Sequence, residues 1–218
     1  MGEGIAQIAA TSGHPVMLYD VSQAQTQGAI ENIAKRLERS VNKEKITDEK
    51  RTQILANISP ARALGELAQV KLAIEAIIED LGIKQDVFSQ LESLLEADAI
   101  LATNTSSIDL NKMGSKLKHP QRLVGMHFFN PAQVMALVEI VHSTETDSEV
   151  ADLVFSLAEE WGKSPVHVRS SPGFIVNRAA RPFYSEALVI LKEGGTDAAN
   201  CDAIIRDCGG FRMGPFEL

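Results

Sequence analysis

No apolar run in the 218 residues approaches the ~18 that a membrane-spanning helix needs. The longest, residues 72–78, is interrupted by Glu75 and has the length of a buried strand. No basic stretch followed by an apolar one opens the chain, so no secretory leader is expected. Cysteine is scarce. Cys201 and Cys208 are seven residues apart, on one side of a helix and too distant along it for a disulfide. Two cysteines without a framework fit a reducing compartment, and a cytoplasmic location is expected. Positive charge is also short: the formal net charge is −8, a poor match for a nucleic-acid backbone, so no nucleic-acid partner is expected. Repeats and low-complexity segments are absent, and no metal site is expected.

What is present alternates. Strand-like runs at residues 16–19, 71–77, 99–103, 123–129, 136–141 and 166–168 are separated by helix-like stretches at 5–10, 25–41, 47–55 and 83–95. Thr146 with Glu149 reads as a capping box opening a further helix to Trp161. Such alternation predicts an α/β domain with a largely parallel sheet. After Pro172-Gly173 only helical stretches follow, 174–192 and 197–207, broken at Gly194-Gly195. A domain of residues 1–170 and a second, all-helical one beginning at 171 are expected. Lys35, Arg36, Arg39, Lys43 and Lys45 gather within eleven residues, interspersed with Glu31, Glu38 and Glu44. A solvated helix face explains them; a docking site for an anionic ligand is the sharper alternative.

Gly2 and Gly4 precede the first helix, and the first strand runs into Asp20. That is the back half of a dinucleotide fingerprint, in which a glycine turn lets the backbone approach a pyrophosphate and an acidic residue ~20 positions on holds a ribose hydroxyl. An aspartate after a strand is also a common helix cap, and glycines near a terminus are ordinary. An acid at Asp20 favours NAD over NADP, whose 2′-phosphate would meet like charge.

His127 closes a strand, in Met126-His127-Phe128-Phe129-Asn130-Pro131, at the strand end where open α/β sheets bind ligands. Glu139 follows twelve residues later inside the apolar run Leu137-Val138-Glu139-Ile140-Val141. A buried carboxylate needs a partner. Adjacent strands joined by a turn would set the two side by side, an arrangement suited to general acid–base work. The alternative is a core histidine satisfied by a backbone carbonyl. Asn104-Thr105-Ser106-Ser107, after another strand, either donates to a ligand or caps the next helix.

Together these segments resemble the 3-hydroxyacyl-CoA dehydrogenase family. The resemblance rests on Gly2-Glu3-Gly4-Ile5-Ala6-Gln7, Leu18-Tyr19-Asp20, Glu75-Ala76-Ile77-Ile78-Glu79 and Thr103-Asn104-Thr105-Ser106-Ser107. It continues through the His127 to Pro131 run, Leu137-Val138-Glu139, Pro172-Gly173-Phe174-Ile175-Val176-Asn177-Arg178 and Met213-Gly214-Pro215-Phe216-Glu217-Leu218. It spans the chain in order. The 181–187 segment further resembles a bacterial branch acting in phenylacetate breakdown. The resemblance implies a Rossmann-type doubly wound sheet lacking its first strand, followed by the start of a helical substrate and dimerisation domain. It implies NAD-dependent oxidation of an L-3-hydroxyacyl-CoA to the 3-ketoacyl-CoA, as in β-oxidation, by a homodimer. By that likeness His127 is the general base and Glu139 its orienting carboxylate, while Ser106 and Asn177 hold the reacting oxygen. Gly2, Gly4, Asp20, Glu79, Lys84, Ser106 and Asn130 match cofactor contacts, and Lys43 and Lys84 match positions that reach CoA. A chain without the central first strand is expected to leave two strands without ladder partners, to be marginally stable and to have little activity by itself, with Met1 an internal methionine of a longer protein. The alternative to an enzyme is a non-catalytic, crystallin-like scaffold of the same fold.

Overall fold

A computed structural model describes residues 1–217. Helix α1 (Gly2–Thr11) runs from the first residues and ends where Gly13, at φ +95°, adopts the left-handed conformation that glycine tolerates best. Strand β1 (Val16–Leu18), helices α2 (Gln23–Asn42) and α3 (Asp48–Ala56), and strand β2 (Ile58–Pro60) follow. Next come β3 (Leu72–Glu75), α4 (Leu81–Leu94), β4 (Ile100–Thr103), the short α5 (Leu110–Gly114), β5 (Leu123–Phe128), β6 (Leu137–His142), α6 (Ser148–Glu160) and β7 (Ser164–Arg169). Two helices, α7 (Val176–Lys192) and α8 (Ala198–Asp207), complete the described chain. The contacts divide it into two compact units, Met1–Ser171 and Pro172–Leu218.

Five strands form one sheet in the order β3-β4-β5-β6-β7, parallel except for the antiparallel pair β5–β6. Strands β1 and β2 pair in parallel as a separate sheet. Among the described residues β1 and β3 share no ladder, so the doubly wound arrangement falls into two pieces. Helix α1 bridges them. Its Ile5, Ile8 and Ala9 pack with Val124, Met126 and Ile140 of the large sheet and with Val154 and Ala158 of α6. Its Ala6 and Ala10 pack instead with Ile33 and Leu37 of α2, Ile54 of α3 and Ile58 of β2. The opposite face of the large sheet is covered by α4 and α5 through Phe88, Leu91 and Met113. With helices on both faces every residue of β5 is buried, which is why that strand reads as a continuous apolar run.

One strand was not expected, and one expectation needs correction. Strand β2 is not evident in sequence: it is three residues long and ends in a proline, which lacks the ladder donor. The cap of α6 is Asp147, whose carboxylate accepts from the Glu149 amide. Thr146 cannot serve, because its hydroxyl donates to the Leu123 carbonyl and accepts from the Ser143 amide.

Candidate active site

The pairing of β5 with β6 sets His127 opposite Glu139. Two register pairs away, Gly125 faces Val141, and a Cβ on Gly125 would stand 2.6 Å from the Val141 Cβ. A glycine there is what allows the two backbones their close approach. His127 Nδ1 lies 2.7 Å from Glu139 Oε2, and both side chains are buried. Where Glu139 is ionised its carboxylate only accepts, so that Nδ1 carries the proton in this pair. Phe129 packs against the imidazole with ring centroids 4.6 Å apart.

A second buried charge system occupies the carboxyl ends of β3 and β4. Lys84, on α4, is fully enclosed, and its Nζ lies 2.6 Å from Glu75 Oε1 and 3.3 Å from Glu79 Oε2. Glu75 also accepts from the Ile77 amide at 2.6 Å and from the Thr103 hydroxyl at 2.8 Å. Glu79 accepts from the Thr105 hydroxyl, the Ser106 amide at 3.1 Å and the Ser107 hydroxyl at 3.0 Å. Burial alone would raise the Glu79 carboxyl. The Thr105 hydrogen bond, the Lys84 charge and the Ser107 and Ser106 donors outweigh it and hold the group below its usual range. The Asn104 side-chain oxygen accepts from the Phe128 amide at 2.9 Å, so the turn bearing Ser106 is tied to the end of the strand bearing His127. This turn does not cap α5, whose cap is Asp109.

On the nucleotide side, Gly2 and Gly4 sit in the first turn of α1, where the helix dipole favours an anion; the Gly4 amide donates to the Met1 carbonyl at 2.8 Å. A Cβ on Gly4 would lie 3.0 Å from Gln133 Oε1 and 3.2 Å from the Ala132 Cβ, so this turn is pressed against the segment joining β5 to β6. Asp20 follows β1 and accepts from the Ser22 amide at 2.8 Å, while the cap position of α2 belongs to Ser22. Asn130 is exposed in the β5–β6 segment. Glycines beside a helix start, with an acid at the end of the next strand, fit a dinucleotide.

Lys43 is exposed at the end of α2. Of the basic residues near it, Arg36 is committed to α1, with Nη1 2.6 Å from Glu3 Oε1 and Nε 2.8 Å from Gln7 Oε1. Lys84 presents its charge to Glu75 and Glu79 rather than to solvent, in contrast to Lys43. Asn177 lies in the first turn of α7, in the second unit. Glu75 carries no role of its own in the sequence, and Asn104 and Thr105 only one shared with their whole turn. Glu75 sends the same signal as Glu139, a carboxylate inside an apolar strand.

Fold and site thus define a dinucleotide-binding α/β protein with a buried histidine–carboxylate pair. Residues 1–171 match the NAD-binding domain of 3-hydroxyacyl-CoA dehydrogenase and residues 173–218 match that family's C-terminal domain. A 3-hydroxyadipyl-CoA dehydrogenase of Escherichia coli K12 is 44% identical over the whole chain, which spans 46% of that relative. A 3-hydroxybutyryl-CoA dehydrogenase of Clostridioides difficile is 39% identical over the whole chain and 78% of its own length. The crystal structure of an (S)-3-hydroxybutyryl-CoA dehydrogenase from Ralstonia eutropha superposes with a TM-score of 0.96 at 35% identity, covering 99% of this chain and 76% of that one. The chain belongs to the 3-hydroxyacyl-CoA dehydrogenase family.

Proposed function

We propose that this site serves the NAD-dependent oxidation of an L-3-hydroxyacyl-CoA to the 3-ketoacyl-CoA. The observation that carries the reading is the 2.7 Å contact between His127 Nδ1 and a fully buried Glu139. Glu139 fixes the tautomer, so that Nε2 accepts the substrate's hydroxyl proton, and the carboxylate then stabilises the imidazolium. Ser106 holds the reacting oxygen; Asn177, in the second unit, is assigned that role by the family likeness alone. The first turn of α1, with Gly2 and Gly4, holds a pyrophosphate, and Asp20 holds the adenosine ribose. Glu79, Ser106 and Asn130 shape the remaining cofactor contacts, with the enclosed Lys84 holding Glu79, and Lys43 serves the CoA end. When bound, NAD supplies the hydride acceptor. We further assign residues 1–170 to cofactor binding and the residues from 171 onward to substrate binding and dimerisation. A homodimer, a cytoplasmic location and a role in phenylacetate breakdown complete the proposal, the last supported by the likeness of the 181–187 segment.

The test is NADH consumption with acetoacetyl-CoA by the chain and by His127→Gln. Loss of a general base is expected to lower turnover by about 10²–10⁴-fold. Turnover that survives the substitution removes the assigned base.

A further inference from the structure

The segment joining β5 to β6 is held by a residue that the reaction does not use. Lys163, between α6 and β7, directs Nζ to the Ala132 carbonyl at 2.7 Å and the Met135 carbonyl at 3.0 Å. Within the segment, the amides of Val134 and Met135 both donate to the Pro131 carbonyl, at 2.9 and 3.0 Å. The ammonium therefore closes a turn whose carbonyls already converge. Next to it the Ser164 amide donates to the Ala136 carbonyl at 2.8 Å, so two consecutive residues grip the same segment. Among the described residues no carboxylate lies within ion-pair distance of Lys163. Burial lowers the affinity of its amine for a proton. A cation that gives up water for two carbonyls, with no counter-charge, gains little from Coulomb attraction; its contribution is geometric.

What the grip controls follows from the other side of the segment. Ala132 is buried in one cluster with Ile5 and Ile8 of α1, and a Cβ on Gly4 would be tight against Ala132 and Gln133. Asn130 lies in the same segment, two residues before Ala132. We infer that Lys163 is a positioning residue for cofactor binding: it fixes residues 130–136 against the first turn of α1 and so sets both Asn130 and the pyrophosphate-facing amides. The inference rests on the functional reading above, which assigns Asn130 and that turn to NAD.

The test compares the chain with Lys163→Met, which keeps the aliphatic stem, and Lys163→Arg, which restores a cationic donor. Three quantities are read: amide hydrogen exchange across residues 130–136, NADH affinity by fluorescence titration, and the KM for NADH against kcat with acetoacetyl-CoA. In Lys163→Met, exchange in residues 130–136 is expected to quicken about tenfold, a charged hydrogen bond's worth. NADH binding and its KM are expected to weaken by about the same factor, with kcat within about twofold and most of the loss recovered in Lys163→Arg. Unchanged exchange in residues 130–136 overturns the inference. So does faster exchange with unchanged NADH affinity, or faster exchange spread through the whole chain, which marks a general stability role. A wild-type chain that binds no NADH refutes the functional reading and this inference with it; wild-type binding that the methionine variant matches refutes this inference alone.

Discussion

Removing the Lys84 ammonium, as in Lys84→Met, should be among the most destabilising single changes on the sheet's ligand edge. The methionine keeps most of the stem's volume, so the cost is electrostatic. Glu75, 5% exposed, loses the cation 2.6 Å away but keeps the Ile77 amide and the Thr103 hydroxyl. Breaking one side of a buried pair costs about 3–5 kcal/mol. Two surviving donors place the loss at the lower end, about 3 kcal/mol. Against a total stability of about 5–15 kcal/mol this is a large fraction. It corresponds to a melting temperature about 6–12 °C lower for a chain of this size. Urea titration followed by far-ultraviolet circular dichroism would measure it. The double variant Glu75→Gln/Lys84→Met removes the stranded charge while keeping an acceptor for the Ile77 amide. It should recover at least about 1.5 kcal/mol relative to Lys84→Met. A Lys84→Met chain within about 0.5 kcal/mol of wild type, or a double variant worse than Lys84→Met, refutes the reasoning.

Gly125→Ala forces a Cβ to within 2.6 Å of the Val141 Cβ, and a loss of about 1–3 kcal/mol is expected by thermal denaturation. Acid should loosen the Ser106 turn through Glu79. The folded carboxyl titrates below its ordinary 4.5, so its stabilisation is present above that pH and is lost as pH falls through the folded value. Glu79→Gln should therefore flatten the fall in urea midpoint below about pH 4.5, and an unchanged slope counts against it. His142 sits 2.8 Å from His167; burial first, then the neighbouring ring, lowers its pKa below 6.5. The unfolded chain then binds the proton better, so stability falls as pH drops below about 6.5, and His142→Gln should lessen that fall in a melting series from pH 7 to about pH 5.

How far a sequence reveals such a site depends on whether a side chain contradicts its surroundings. Glu139 is legible because a lone carboxylate in an apolar strand demands a partner, and the short connection back to His127 leaves one strand to supply it. Glu75 makes the same demand, yet its partner Lys84 comes from the following helix, where a lysine looks like any solvated residue. The parallel sheet is legible from alternation, since helices on both faces make each central strand continuously apolar. Strand β2 escapes because three residues ending in proline carry no period, and α5 because five residues hold barely more than one turn. Thr146 misleads for a different reason: a capping-box pattern states what a hydroxyl could bind, and the Leu123 carbonyl and Ser143 amide take it first. Lys163 is the extreme case. Its partners are two backbone carbonyls about thirty residues earlier, and backbone leaves no trace in residue identity. A side chain that contradicts its surroundings thus announces in the sequence that it needs a partner, whereas one that answers backbone emerges only once the chain is folded.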